Sequence, residues 1–235
     1  MTLKRAVFYA ALIVLVVLPA RAAFAAPGDE KELEKVLRKL DVAAANFHST
    51  SADFEFDSVQ TDPIPDKDVQ KGTVYYERRD RAFEMAAHIR ELNGKIAPKV
   101  YSYAAGVFKL YEKMTNQVTR FKKLNQYESY LMLGFGASGK DLEQKWDIKY
   151  LGSEVLDGVK TEKLELVAKD AAVRKNIPKV TVWLDTDRAV SLKQVFNEGP
   201  GEYRVCYYFN IKTNQPLPAD AFLLKTDKQT VFVDR

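Results

Sequence analysis

The sequence predicts a mainly β protein with helices: an incomplete antiparallel β-barrel of about eleven strands, closed by a helical lid. Three patterns carry that expectation. Apolar residues recur with a period of two in many short segments, and these are separated by turn residues and not by crossover helices, which marks an antiparallel meander. So many strands do not remain a flat open sheet, and the sheet must curl. Two segments change to a spacing of three and four, and their apolar stripes need a surface; the concave face of the curled sheet supplies one.

Met1 to Ala25 begins with Lys4 and Arg5, runs apolar from Ala6 to Leu18, breaks at Pro19 and ends on small residues. That is the pattern of a cleaved secretory signal peptide. The mature chain is expected to start near Ala26, to form a single domain over 26–235 and to lie outside the cytoplasm. Of 36 basic and 32 acidic residues, Lys4, Arg5 and Arg21 fall in the targeting segment, leaving a net charge of +1. No field that would steer nucleic acid follows from that balance. Cys206 is the only cysteine, which excludes an internal disulfide and reads as a packed thiol.

Asp29 to Phe47 reads as an amphipathic helix with Asp29 and Glu32 in capping-box spacing, its stripe including Leu33, Leu37, Leu40 and Phe47. Period two follows at Ala52 to Phe56. Lys71 to Ile89 reads as a β-hairpin turning at Arg79 to Arg81, with Val74 and Tyr76 facing the same side as Phe83, Met85 and Ile89. The same parity turns Arg78 inward at the rim, where a guanidinium needs backbone carbonyls or a carboxylate from whatever covers that face. Glu84 and His88 then fall on the solvent side.

Further strands are expected at Lys99 to Tyr103, Val107 to Glu112 and Gln117 to Lys122. Lys123 to Lys145 interrupts them with a second helical pattern, Leu124, Tyr127 and Leu131. Strands resume at Trp146 to Leu151, Thr161 to Ala168, Lys179 to Asp185, Ala189 to Asn197 and Glu202 to Asn210, and a last short one at Phe222 to Leu224. Gly134 to Lys140 matches the first seven positions of a phosphate-binding loop, but Asp141 stands where Ser or Thr should hold magnesium. The glycines read instead as a flexible joint beside a covering helix.

His48 and His88 are the only histidines and have no ligand-spaced neighbours, so no metal site, cofactor or catalytic triad is expected and the chain does not read as an enzyme. What remains is apolar. Phe54 and Phe56, Val74 and Tyr76, and Phe83, Met85 and Ile89 are the candidate walls of a hydrophobic cavity in the first half. Tyr101, Tyr103, Phe108, Leu110, Tyr207 and Phe209 complete the set. A curled sheet covered by only two helical segments leaves a hollow that suits an apolar ligand.

Several local motifs together resemble the periplasmic outer-membrane lipoprotein carriers, the LolA-like lipoprotein-sorting family. Phe47-His48-Ser49 followed by Phe54 resembles its Phe-His-x-x-Phe, and Gly72-Thr73-Val74-Tyr75-Tyr76-Glu77-Arg78 its Gly-x-Leu-Trp-x-Lys-Arg strand. Tyr111 to Val118, the glycine-bounded Gly152 to Ala168 and Asp220-Ala221-Phe222 also fit. The resemblance implies a partial barrel that shields the acyl chains of lipoproteins and delivers them from the inner to the outer membrane. It implies as partners acylated lipoproteins, an inner-membrane ABC-type lipoprotein-releasing complex and an outer-membrane acceptor or receptor, with the carrier a monomer. It also implies that Arg78 is a lid clamp. Arg79 stands where the family has proline. A related lipid-binding or lipid-sensing regulator on the same fold is the alternative.

Overall fold

The computed structural model describes residues 27–79, 82–121 and 128–235. The targeting segment expected over 1–25 lies outside the described residues, as do Leu124 and Tyr127 of the second helical pattern. The described residues begin with α1 (Pro27–Ala45), which starts two residues before Asp29, so that Asp29 sits in the first turn and not at the cap. Six strands follow: β1 (Ser49–Gln60), β2 (Asp66–Arg79), β3 (Ala82–Leu92), β4 (Lys95–Ala104), β5 (Val107–Glu112) and β6 (Gln117–Phe121). Two short helices, α2 (Glu128–Leu131) and α3 (Gly139–Lys145), precede β7 (Trp146–Leu156) and β8 (Val159–Ala168). The chain continues through α4 (Ala171–Asn176), β9 (Lys179–Asp185), β10 (Val190–Gly199), β11 (Glu202–Thr213) and β12 (Val231–Asp234).

The twelve strands among the described residues form one unclosed sheet in the order β12-β6-β5-β4-β3-β2-β1-β11-β10-β9-β8-β7. Two meanders, β1–β6 and β7–β11, are joined by the long-range antiparallel pair β1–β11, in which Phe54 faces Tyr208 and Phe56 faces Cys206. The tight hairpins use adjacent positive-φ pairs, Asn93-Gly94 between β3 and β4 and Asp157-Gly158 between β7 and β8. Such pairs match the twist of the strands they connect. No strand forms at 222–224; the last strand is β12, parallel to β6. The helix α4 was not anticipated, although Asp170 caps it by accepting from the amides of Ala172 and Val173.

Two clusters fill the concave side. One packs α1 and α3 on the β7–β10 half: Leu37, Leu40, Leu142, Trp146, Leu164 and Leu166 lie at its centre. The other, under β1–β5, is aromatic and contains Phe47, Phe54, Tyr76, Phe83 and Tyr103. On the convex side, residues 214–230 cross β3–β6. His88 Nε2 bonds the Ala221 carbonyl at 2.8 Å, its ring meets Tyr75 edge-on at 5.3 Å, and Leu224 packs on Val100, Tyr111 and Val118. His88 is therefore half-buried and not a solvent-facing imidazole, because the chain returns over the face that alternation alone assigns to water.

Candidate functional site

The inner rows of β1–β5 and β11 line an open cavity of about 540 Å³. Register builds its wall. Val74 lies opposite Ala87, which lies opposite Tyr101; Tyr76 lies opposite Met85; Gly72 lies opposite Ile89. Directly opposed residues share a face, so one inward residue fixes its neighbours across the sheet. Phe54, Phe56, Val74, Tyr76, Met85, Ile89, Tyr101 and Phe108 all reach the wall.

Phe83 and Tyr103 belong to the same cluster but stack on each other at 5.0 Å behind the wall. Leu110 pairs opposite Tyr101 and is half-buried without lining the cavity. Tyr207 and Phe209 require a correction: they are 40% and 44% exposed on the convex face. Their neighbours Cys206 and Tyr208 line the cavity instead, because these oppose the inward Phe56 and Phe54. Both faces of β11 carry apolar residues, so alternation within the strand cannot choose between them.

The cover is divided between two elements. Leu33, Leu37 and Leu40 of α1 do not face the cavity; they pack over the β7–β10 cluster, and only Phe47 at the end of α1 reaches the aromatic one. The cavity itself is roofed by residues 131–136. Leu131 lines it, and Phe135 stacks on Tyr76 at 4.2 Å and meets Tyr208 edge-on at 4.8 Å. Sequence reasoning missed Phe135, whose only signal is an aromatic between two glycines.

The glycine-rich segment is close-packed and not a flexible joint. Gly136 adopts φ +71°, and a Cβ there would collide with the Phe47 ring; one on Gly139 would collide with the Leu37 backbone. Gly136 N–H donates to Ala189 O at 2.8 Å and Ser191 N–H to Gly134 O at 2.6 Å, stitching the segment to β10. Ser138 and Asp141 form the capping box of α3. That arrangement occupies the groups a phosphate loop would need free.

Arg78 joins these parts. Its Nη1 donates to Ala44 O at 2.7 Å, near the end of α1, and its Nη2 to Gly136 O at 2.5 Å in the roof. Its backbone N–H donates to His48 O at 2.8 Å, and its guanidinium lies 5.8 Å from the Phe47 ring centroid. One side chain of β2 thus holds α1, the roof and the barrel in register.

The aromatic part of the wall, with Cys206, stays uncharged near neutral pH. Burial pushes the Cys206 thiol up to about 12 and raises the phenols of Tyr76 and Tyr208. An ionised group among these residues would be unfavourable, whereas hydrocarbon meets rings, aliphatic carbons and a thiol there; the polar lining residues are Ser58, Gln70 and Arg204.

No family model matches the sequence. An uncharacterised protein of Methanocaldococcus jannaschii is 26% identical over 113 residues, which is 48% of this chain and 31% of that one, so the match spans about a third of the relative. Among solved structures, an uncharacterised conserved protein from Thermus thermophilus is similar with a TM-score of 0.54 and 12% identity, over 87% of this chain and 99% of that one. MucB is similar with a TM-score of 0.51 and 13% identity, over 86% of this chain and 66% of MucB. A LolA superfamily protein from Nitrosomonas europaea aligns over 82% of this chain and 97% of that one, with a TM-score of 0.41 and 16% identity. These similarities concern the fold. No helix among the described residues is long and apolar enough to cross a membrane.

Proposed function

We propose that this protein is a carrier that shields acyl chains in the aromatic cavity, and that its cargo is acylated lipoproteins moved from the inner to the outer membrane. The observation that carries the reading is an apolar cavity of about 540 Å³ beneath a roof fastened by Arg78. A sixteen-carbon chain left in water costs on the order of 12 kcal/mol at ~0.8 kcal/mol per methylene. Shielding removes that cost during transit. An ABC-type releasing complex of the inner membrane would load the carrier, and an outer-membrane acceptor or receptor would unload it. The targeting pattern of Met1 to Ala25 supports a periplasmic location. The reading is non-enzymatic: His48 is exposed and His88 is engaged by the Ala221 carbonyl.

The cavity's volume of about 540 Å³ is near that of one acyl chain, and in this reading the roof moves to admit cargo with several. Reclosure of the empty form, which restores the Arg78 bonds, then offsets part of the cargo's binding energy and eases release. That one-chain size also favours a second reading, a lipid-binding or lipid-sensing regulator on the same fold. Native mass spectrometry of the protein recovered from its own compartment tests both. A bound triacylated polypeptide supports the lipoprotein carrier, a bound free lipid supports the second reading, and protein recovered without any acyl compound, and unable to take one up, sinks both.

A further inference from the structure

The cavity has a polar end that the acyl-shielding reading does not use. Along β1 the inner row runs Ala52, Phe54, Phe56 and then Ser58, and the register places Gln70 beside Phe56 and Arg204 beside Ser58. Ser58, Gln70 and Arg204 all line the cavity. They lie far from the roof fastening, since Gln70 is eight residues from Arg78 on β2, ~26 Å along a strand. The Ser58 hydroxyl and the Gln70 amide have no hydrogen-bond partner among the described residues. Arg204 is 47% exposed, so this end of the cavity reaches water, and its Nη2 pairs with Glu198 Oε1 at 3.0 Å. That pair leaves guanidinium donors free, and Arg carries five in a planar fork suited to carboxylate or phosphate. Burial raises the Glu198 carboxyl pKa against the opposing pull of Arg204.

We infer that the closed molecule takes up a single-chain amphiphile with an anionic head, the chain lying among Phe54, Phe56, Tyr101 and Phe108 and the head at Arg204, Ser58 and Gln70. The size agrees. With each methylene taken as about the volume of a water, ~30 Å³, a sixteen-carbon chain needs ~480 Å³, against a cavity of about 540 Å³. Charge decides the head: a neutral glycerol can use Ser58 and Gln70 alone, while a fatty-acid carboxylate or a lysophospholipid phosphate also engages the guanidinium, displacing Glu198. The inference rests on the reading of the cavity as an acyl site, and not on delivery of lipoproteins.

Calorimetric titration with oleate, oleoyl lysophosphatidate and monoolein, each below its micellar concentration, separates the parts. The two anions are expected to bind at least about tenfold more tightly than monoolein, the size of a charge-assisted hydrogen bond at a half-exposed site. Arg204→Gln should remove that preference and leave monoolein unchanged. Arg204→Lys should keep most of it, and Glu198→Gln should strengthen both anions. The ratio of oleate to lysophosphatidate assigns the head as carboxylate or phosphate. Equal binding of all three lipids to the unaltered protein, or an anion preference that survives Arg204→Gln, overturns the head assignment while leaving the acyl site standing. The acyl site itself fails by a different result: no lipid binds, or all three bind undiminished to folded Ala87→Trp and Ile89→Phe variants, which fill the cavity.

Discussion

Arg78 is a residue whose surroundings set opposite demands on the empty and the loaded protein. Its two bonds to neutral carbonyls, each worth ~1.5–3 kcal/mol when the donor is charged, exist only while α1 and the roof are docked. Arg78→Leu should therefore lower the stability of the empty protein, retain cargo, and slow transfer from loaded protein to acceptor vesicles by tenfold or more. Arg79→Leu is the matched control, because Arg79 is 60% exposed and pairs with Glu77 and Glu84 on the surface. Equal transfer rates for the two variants would count against the clamp. The inward direction of Arg78 was legible because β3 has one apolar row, Phe83, Met85, Ala87 and Ile89, and Val74 and Tyr76 of β2 join it, so parity places Arg78. Tyr207 and Phe209 were not legible on the same logic: β11 is apolar on both faces, and its orientation is set by Phe54 and Phe56, about 150 positions earlier in the chain.

At the level of elements, the crossing over β3–β6 adds a dependence on pH. Desolvation is the main influence on His88 and lowers its pKa below 6.5, partly opposed by the bond to Ala221 O. The folded state then binds fewer protons than the unfolded chain as pH falls, so His88 contributes stability that is complete above about 6.5 and declines below it. Unfolding temperatures measured from pH 7.5 to 5 should fall less steeply for His88→Gln than for the unaltered protein; identical slopes would show that the imidazole is not the responsible group. This crossing was hidden from the sequence, because the apolar pattern at Phe222 to Leu224 reads as one more strand and nothing in it says which face of the sheet the segment covers. The buried Ala86, on the same face as His88, records the cover in the structure.

Across the whole molecule, the two clusters divide the work of stability and binding. Leu166 is fully buried in the β7–β10 cluster, away from the cavity wall. Leu166→Ala should cost ~2–5 kcal/mol in denaturant unfolding, with acyl affinity within about twofold of the unaltered protein. A parallel loss of affinity at temperatures where the variant is folded would contradict that division. The period-two segments made the strands legible, and the helical stripe of α1 was equally plain. The surface that α1 covers was not, since it is assembled from residues 130–189. That separation has a kinetic consequence. During synthesis α1 emerges first, yet Leu142, Trp146 and Leu164, on which it rests, follow a hundred residues later, and the β1–β11 seam forms only when β11 is complete. For all that interval the Leu33, Leu37 and Leu40 stripe and one edge of β1 stay uncovered. High contact order of this kind slows folding and prolongs exposure to wrong partners, so in cell-free synthesis a holding chaperone should raise the yield of folded protein when it is present before β11 emerges and not when it is added after.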